Sequence, residues 1–190
     1  MKEKENQRIT LTKMLLKKSL IELMETKSIT KISVTELCNN AGINRVTFYN
    51  HYGCPSDLLR EMEADLTTEL HAYLSSHVTE YIDDGKCNGK LLIDLICTFF
   101  KNNKEVSELI FKNNSADSDF AANIFQIPTL WDDICAYLDK IYGKLKEELL
   151  MTSIVNGLYY MIKKWLLDGC KISPQEMGEI ANIFILKGFN

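Results

Sequence analysis

The sequence predicts an all-α fold, with a small three-helix head at the N-terminus and a larger helical body behind it. Three observations lead there. Apolar residues recur at three- and four-residue intervals through the long segments, and no stretch alternates apolar and polar residues as a half-buried strand would. Three prolines and nine glycines in 190 residues leave long runs without a helix breaker. Two serine–glutamate pairs at capping-box spacing, Ser33–Glu36 and Ser173–Glu176, mark helix starts near opposite ends of the chain.

The elements follow in order. A first helix spans about Gln7 to Glu25, with Leu16, Ser19, Leu20, Leu23 and Met24 on the inward face and Lys13, Lys17 and Lys18 largely off it. Thr26 to Ile32 connects to a helix that opens at Ser33, whose hydroxyl takes the amide of residue 36 while Glu36 reaches back. Ala41-Gly42 ends that helix, since glycine is free to adopt positive φ there. Asn44 caps a third helix ending near Tyr52. Gly53-Cys54-Pro55 breaks the chain, and Pro55 suits the first turn of a long helix reaching Tyr81 or Ile82. Its stripe is Leu58, Leu59, Met62, Leu66, Leu70, Tyr73, Leu74 and Val78. The body then reads as a loop at Asp83–Gly89, helices at Lys90–Asn102 and Lys104–Lys112, and a loop at Asn113–Asp119. A segment from Phe120 breaks at Pro128 and restarts at Thr129 toward Tyr142, followed by Glu147–Asp168 and a last helix from Ser173 to about Gly188. The domain expectation is a head at 1–54, a connecting helix at 55–82 and a regulatory and dimerisation body over 55–190.

Composition narrows the class. With 46% hydrophobic and 25% charged residues, this is an ordinary folded chain. The charged N-terminus shows no targeting segment. The densest apolar run, Leu91 to Phe100, contains Asp94 and is too short to span a bilayer, so a cytoplasmic protein without membrane association is expected. Six scattered cysteines form no CxxC pair and complete no ligand set with three histidines, so neither a metal nor another cofactor is expected. No Ser/His/Asp order and no glycine-rich phosphate loop appears, so catalytic residues are not expected and an enzyme is a remote alternative. Charge is segregated. Residues 1–60 hold 10 Lys+Arg against 6 Asp+Glu, a net of +4, and the remainder carries −8 of the total −4. A basic head suits a polyanion, although +4 is modest.

Ser33 to Tyr52 carries the chemistry. Two short helices around a turn with glycine form a helix-turn-helix. The second places Asn, Arg, Thr, Tyr, Asn and His outward and hides Phe48 and Tyr52, a layout suited to a DNA groove. Residues Thr35, Leu37, Cys38, Ala41, Gly42, Ile43, Asn44, Thr47, Phe48, Tyr49, His51 and Tyr52 fall in register on the helix-turn-helix pattern of the TetR/AcrR regulators, which the head therefore resembles. Gly157, Trp165, Gly169 and Ser173-Pro174-x-Glu176 resemble a pattern common in the family's last two helices. The resemblance implies that the third helix enters the major groove with Asn44, Arg45 and Val46 nearest the base edges. It implies phosphate contacts from Thr35, Thr47, Tyr49 and His51, assisted by Asn50. Arg45 pairing bidentately with guanine competes with Arg45 as a solvated cation, and Asn44 as a reader competes with Asn44 as a cap. Two positions depart from the family. Pro55 stands where a phosphate-touching lysine is common, leaving the following helix amides to meet a phosphate. Val46 stands where glycine is common. Cys54, at the same corner, reads either as an incidental small residue or as a redox-sensitive thiol.

In the body, Met62, Phe99, Phe100, Phe111, Phe125, Trp131 and Tyr137 read either as a ligand pocket or as core filling. Ile154, Gly157, Leu158, Met161 and Trp165, with Met177, Ile180, Ala181 and Phe184, read as a dimer interface built from the last two helices as a four-helix bundle. The functional expectation is a homodimeric transcriptional repressor of a near-palindromic operator in double-stranded DNA, released by a small-molecule effector. The alternative is a regulator answering to a protein partner or to no ligand.

Overall fold

The computed structural model describes residues 2–83, 86–114, 118–125, 135, 139–140 and 143–187. They form two compact units, Met1–Asp65 and Leu66–Asn190.

In the first unit, helix α1 runs Lys2–Met24, reaching further toward the N-terminus than the apolar pattern required. A single 3₁₀ turn, Ile29–Lys31, leads to α2, Val34–Ala41. Helix α3, Arg45–Tyr49, is short, and α4, Pro55–Ser76, opens in this unit, the residues from Leu66 belonging to the second. Leu16, Leu20, Leu37, Phe48 and Leu58 are completely buried and form the centre of this unit. The Ser19 hydroxyl, also buried, donates to the Leu37 carbonyl at 3.1 Å and joins α1 to α2. This explains a polar residue on the inward stripe, because a buried hydroxyl without a partner would destabilise.

In the second unit, α5 is a single turn, Val78–Tyr81. Strand β1, Ile82–Asp83, pairs antiparallel with β2, Lys86–Cys87, Ile82 facing Cys87 and Asp83 facing Lys86. The sequence reading had a loop here. The signal present was Asp84-Gly85, a dipeptide favoured in two-residue hairpin connections. Helices α6, Gly89–Asn102, and α7, Lys104–Asn113, occupy the expected segments. Helix α8 covers Asp119–Ile124, capped by Ser118. The expected restart at Thr129 and the residues to Tyr142, Cys135 and residues 139–140 apart, lie outside the described residues. Helix α9 runs Lys144–Leu167 and α10 runs Pro174–Lys187.

Helices α6 and α10 approach closely at Gly178, where an added Cβ would sit 2.6 Å from the Lys90 carbonyl oxygen. The loop between α9 and α10 is tightly specified. Gly169, at φ 87°, and Cys170, at φ 56°, return amides to Leu166 and Trp165, both bonds 2.9 Å. This is a Schellman closure. The Trp165 indole then donates to the Ile172 carbonyl at 2.9 Å. Ser173 and Glu176 exchange both capping-box bonds, at 2.7 and 3.2 Å. Of the residues that carried the C-terminal resemblance, Trp165, Gly169, Ser173 and Glu176 therefore build one structural corner, while Gly157 lies mid-helix in α9.

Candidate nucleic-acid interface

The turn between α2 and α3 is fixed by backbone geometry before any side chain reads anything. Gly42 adopts φ 66°, ψ 27°, and the amides of Gly42 and Ile43 bond the carbonyls of Asn39 and Cys38 at 3.3 and 2.9 Å. The Ser33 hydroxyl accepts the Glu36 amide at 3.1 Å, as its sequence predicts. The Glu36 carboxylate, expected to return to Ser33, instead pairs with Lys27 across the chain. A full charge outcompetes a backbone amide at an exposed end.

Asn44 has a defined task. Its Oδ1 accepts the Val46 amide at 2.8 Å and caps α3. Behind α3, Phe48 is wholly buried and its ring lies edge-on to Tyr49, with Tyr52 tilted against it at 5.5 Å. In front, Thr35, Asn44, Arg45, Val46, Tyr49 and Asn50 are exposed, and Thr47 and His51 are half-buried. Val46 is 69% accessible, a large value for an aliphatic side chain on a short, well-anchored helix. The Arg45 guanidinium lies 6.0 Å from the Tyr49 ring centre. Seven of the eight residues expected to meet DNA thus lie on the segment Asn44–His51 and the eighth, Thr35, on α2, with none in the hydrophobic core.

A second cluster supports this segment from behind. The Glu61 carboxylate of α4 takes Lys13 at 2.8 Å and Lys17 at 3.1 Å, and Lys17 also pairs with Asp65. Lys13 Nζ sits 5.8 Å from the centre of the Tyr52 ring. Burial pushes the Glu61 carboxyl up, but the Lys13 and Lys17 ammoniums outweigh that and leave it below the ordinary value. Burial, then the Glu61 and Asp65 carboxylates, drives the Tyr52 phenol well above its usual range. Sequence reading placed these lysines off the inward stripe without identifying their partners.

The start of α4 differs from expectation. Asp57 Oδ2 accepts the Gly53 and Cys54 amides at 2.8 and 3.0 Å. The amide of Asp57 itself bonds the Cys54 carbonyl. Of the helix amides that Pro55 was expected to leave for a phosphate, that of Asp57 is engaged within the chain.

The residues read as pocket or core divide. Phe99, Phe100 and Phe111 come together edge to edge, at 5.6 Å for the first pair and 5.0 Å for the second. Phe111 also meets Phe120 edge-on and stacks on Tyr159 at 5.2 Å. Phe125 is buried at the end of α8. Met62 is buried in the first unit rather than with these rings. Trp131 and Tyr137 lie outside the described residues.

The expected interface divides as well. Ile154, Leu158, Trp165, Met177 and Ala181 are buried within the chain, Gly157 and Met161 are half-buried, and Ile180 is exposed. The backbone of Phe184 belongs to α10, and its side chain lies outside the described set. Large apolar side chains also face outward that the sequence stripe did not include: Leu145, Leu149, Tyr160 and Leu167 on α9, and Ile183 on α10. Among the described residues, no His/Cys/Asp/Glu group has a metal-binding arrangement, and no helix is long and apolar enough to cross a membrane.

Comparison with known proteins adds independent findings. Residues 88–187 match a TetR-type family model described as a transcriptional regulator C-terminal region. Among solved structures, a TetR transcriptional regulator from Streptococcus agalactiae 2603V is similar, with TM-score 0.66 and 19% identity, covering 97% of this chain and 99% of that one. The fatty acid degradation regulator FadR from Bacillus halodurans gives TM-score 0.59 and 12% identity over 94% and 96%. The dihydroxyacetone kinase operon activator DhaS gives 0.53 and 18% over 93% and 95%. At these identities the likeness is one of fold. A comparison with curated protein sequences gives no match.

Proposed function

The chain belongs to the TetR/AcrR family of transcriptional regulators, and from that premise we propose that it is a homodimeric repressor that grips a near-palindromic operator and is released by a small-molecule effector. The observation that carries the DNA-binding part is the exposed row on a capped, core-anchored α3. Arg45 and Val46 read base edges in the major groove, and Asn44 shares that edge while capping the helix. Thr35, Thr47, Tyr49 and His51 hold phosphates, with Asn50 beside them, and set the register. Residues 1–54 serve as the head and 55–190 as the regulatory and dimerisation body, working in the cytoplasm.

Dimerisation uses the outward faces of α9 and α10. Leu149, Tyr160 and Leu167, with Ile180 and Ile183, supply apolar surface that a lone protomer leaves in water. Ile180 comes from the sequence-expected set, with half-buried Gly157 and Met161 at its margin. Two such faces related by a two-fold axis form the four-helix bundle. Two heads then meet half-sites about one helical turn apart, roughly 34–36 Å.

A second reading draws support from the packed rings around Phe111, which fill the body as a core does. In that reading the body answers to a protein partner or to none. The sign of regulation is open to the same comparison, since one fold relative is an activator by its name.

The test is binding of the purified protein to duplexes from its own upstream region and to random duplexes of equal length. Arg45→Ala should weaken binding to the upstream site by about 1–3 kcal/mol and leave random DNA nearly unaffected. Equal losses on both would remove the base-reading role.

A further inference from the structure

Between Arg45 and Lys86 the chain contains a single Lys or Arg, which is Arg60. It lies in the second turn of α4, yet its guanidinium is carried back toward the corner that follows α3. Nη2 pairs with Asp57 Oδ1, and Nε points at the Ser56 carbonyl at 3.5 Å. The other oxygen of the same carboxylate holds the Gly53 and Cys54 amides at 2.8 and 3.0 Å. One carboxylate therefore bridges the guanidinium and the backbone immediately after Tyr52. Gly53 makes room for this bridge, because a Cβ there would stand 3.1 Å from Asp57 Oδ2. The Arg60 side chain remains 68% accessible. A guanidinium has five N–H donors, and the bonds to Asp57 and Ser56 leave the others available.

We infer that Arg60 is a phosphate grip of the head and that Asp57 is the positioning residue that holds it there. The inference rests on the DNA-binding reading above. The Gly53 and Cys54 amides are already taken by Asp57, and Pro55 carries no positive charge. A backbone phosphate approaching this corner finds its attraction in Arg60. A phosphate contact of this kind orients the head on the duplex without reading sequence. It also releases counterions, so it leaves a signature in salt dependence that a purely structural Asp57–Arg60 pair would not.

The experiment is a salt titration of full-length wild type, Arg60→Gln and Arg60→Lys on the upstream duplex and on a random duplex. Thermal unfolding establishes that each variant is folded. Arg60→Gln should weaken both duplexes alike and reduce the slope of log K against log salt by about 0.9 for each head bound. Arg60→Lys should keep the wild-type slope. An unchanged slope in Arg60→Gln overturns the inference, as does a loss confined to the upstream duplex. If wild type itself binds neither duplex at low salt, the DNA-binding reading fails and takes this inference with it.

Discussion

Two Gly→Ala substitutions at the ends of one helix pair should change stability in opposite directions. At Gly178 an alanine Cβ would lie 2.6 Å from the Lys90 carbonyl oxygen, with Lys90 Cγ and the Asp94 amide nitrogen also near. That leaves it about 0.8 Å short of ordinary contact, and the obstacle is backbone, so α6 and α10 must separate. Overpacking of this kind costs about 1–3 kcal/mol, and alanine recovers up to about 1 kcal/mol of helix propensity. Gly178→Ala should therefore lower stability by about 1 kcal/mol. At Gly89, the first residue of α6, nothing lies within 4 Å of the added methyl and φ is not in the left-handed region. There the smaller entropy of the unfolded chain should give a gain of about 0.4–1 kcal/mol. For a chain of this length the shifts correspond to about 2–4 °C per kcal/mol, downward for Gly178→Ala and upward for Gly89→Ala. Thermal unfolding followed by circular dichroism, at one fixed protein concentration, resolves both. A Gly178→Ala melting temperature equal to or above wild type would refute the close-approach argument.

Three further outcomes follow from the same geometry. Gly42→Ala forces a Cβ into a left-handed conformation with open space around it, so it should cost about 1–2 kcal/mol of head stability through backbone strain alone, read by denaturant unfolding. The Glu61 carboxyl is held below its ordinary value of 4.5, so its stabilising effect is complete above that pH and is lost as pH falls through the lower folded value. Glu61→Gln should flatten the acid limb of the head's stability profile below about pH 4.5, and an unchanged limb would count against the Lys13–Glu61–Lys17 cluster. Phe111→Leu keeps most of the buried volume but loses three ring contacts. A double-mutant cycle with Phe120→Leu should return a coupling of about 0.5–1.5 kcal/mol, and zero coupling would mean the edge-on geometry adds nothing beyond burial.

The legible parts of this chain are those set by neighbours in sequence. Ser33, Gly42, Asn44 and Ser173 each act over two to five residues, and each does locally what its residue type requires. Most helix spans followed from the same short-range patterns, but the helix expected to reach Tyr81 or Ile82 ends at Ser76 before a separate turn at Val78–Tyr81, and the one expected to end near Tyr52 ends at Tyr49. Close approach between distant segments was harder to read. At Gly178 the tightness comes from Lys90, 88 positions away. Helix α9 shows a further limit. It carries apolar residues on more than one face, so periodicity located Ile154, Leu158 and Trp165 correctly on one stripe but did not say whether that stripe faces the chain's own core or a partner. Asp57 escaped notice because a carboxylate three residues after a poor capping residue has no obvious role until Gly53 and Cys54 present their amides to it.

The reading helix itself shows why the site was more legible than its support. An isolated helix as short as α3 has no stability of its own in water, since helices under about 12 residues are marginal. Its conformation is imposed by Asn44 at one end, by Phe48 and Tyr52 underneath, and by the Glu61 cluster against Tyr52. Arg45, Val46 and Tyr49 contribute little to that framework. Substitutions there should stay within about 0.5 kcal/mol of wild-type stability, whereas Asn44→Ala should cost about 1 kcal/mol through the lost cap. On the DNA-binding reading proposed above, this division separates specificity from folding, since the three outward residues can change while the head keeps its shape. Asn44 cannot, because the bond that caps α3 also fixes where Arg45 and Val46 point.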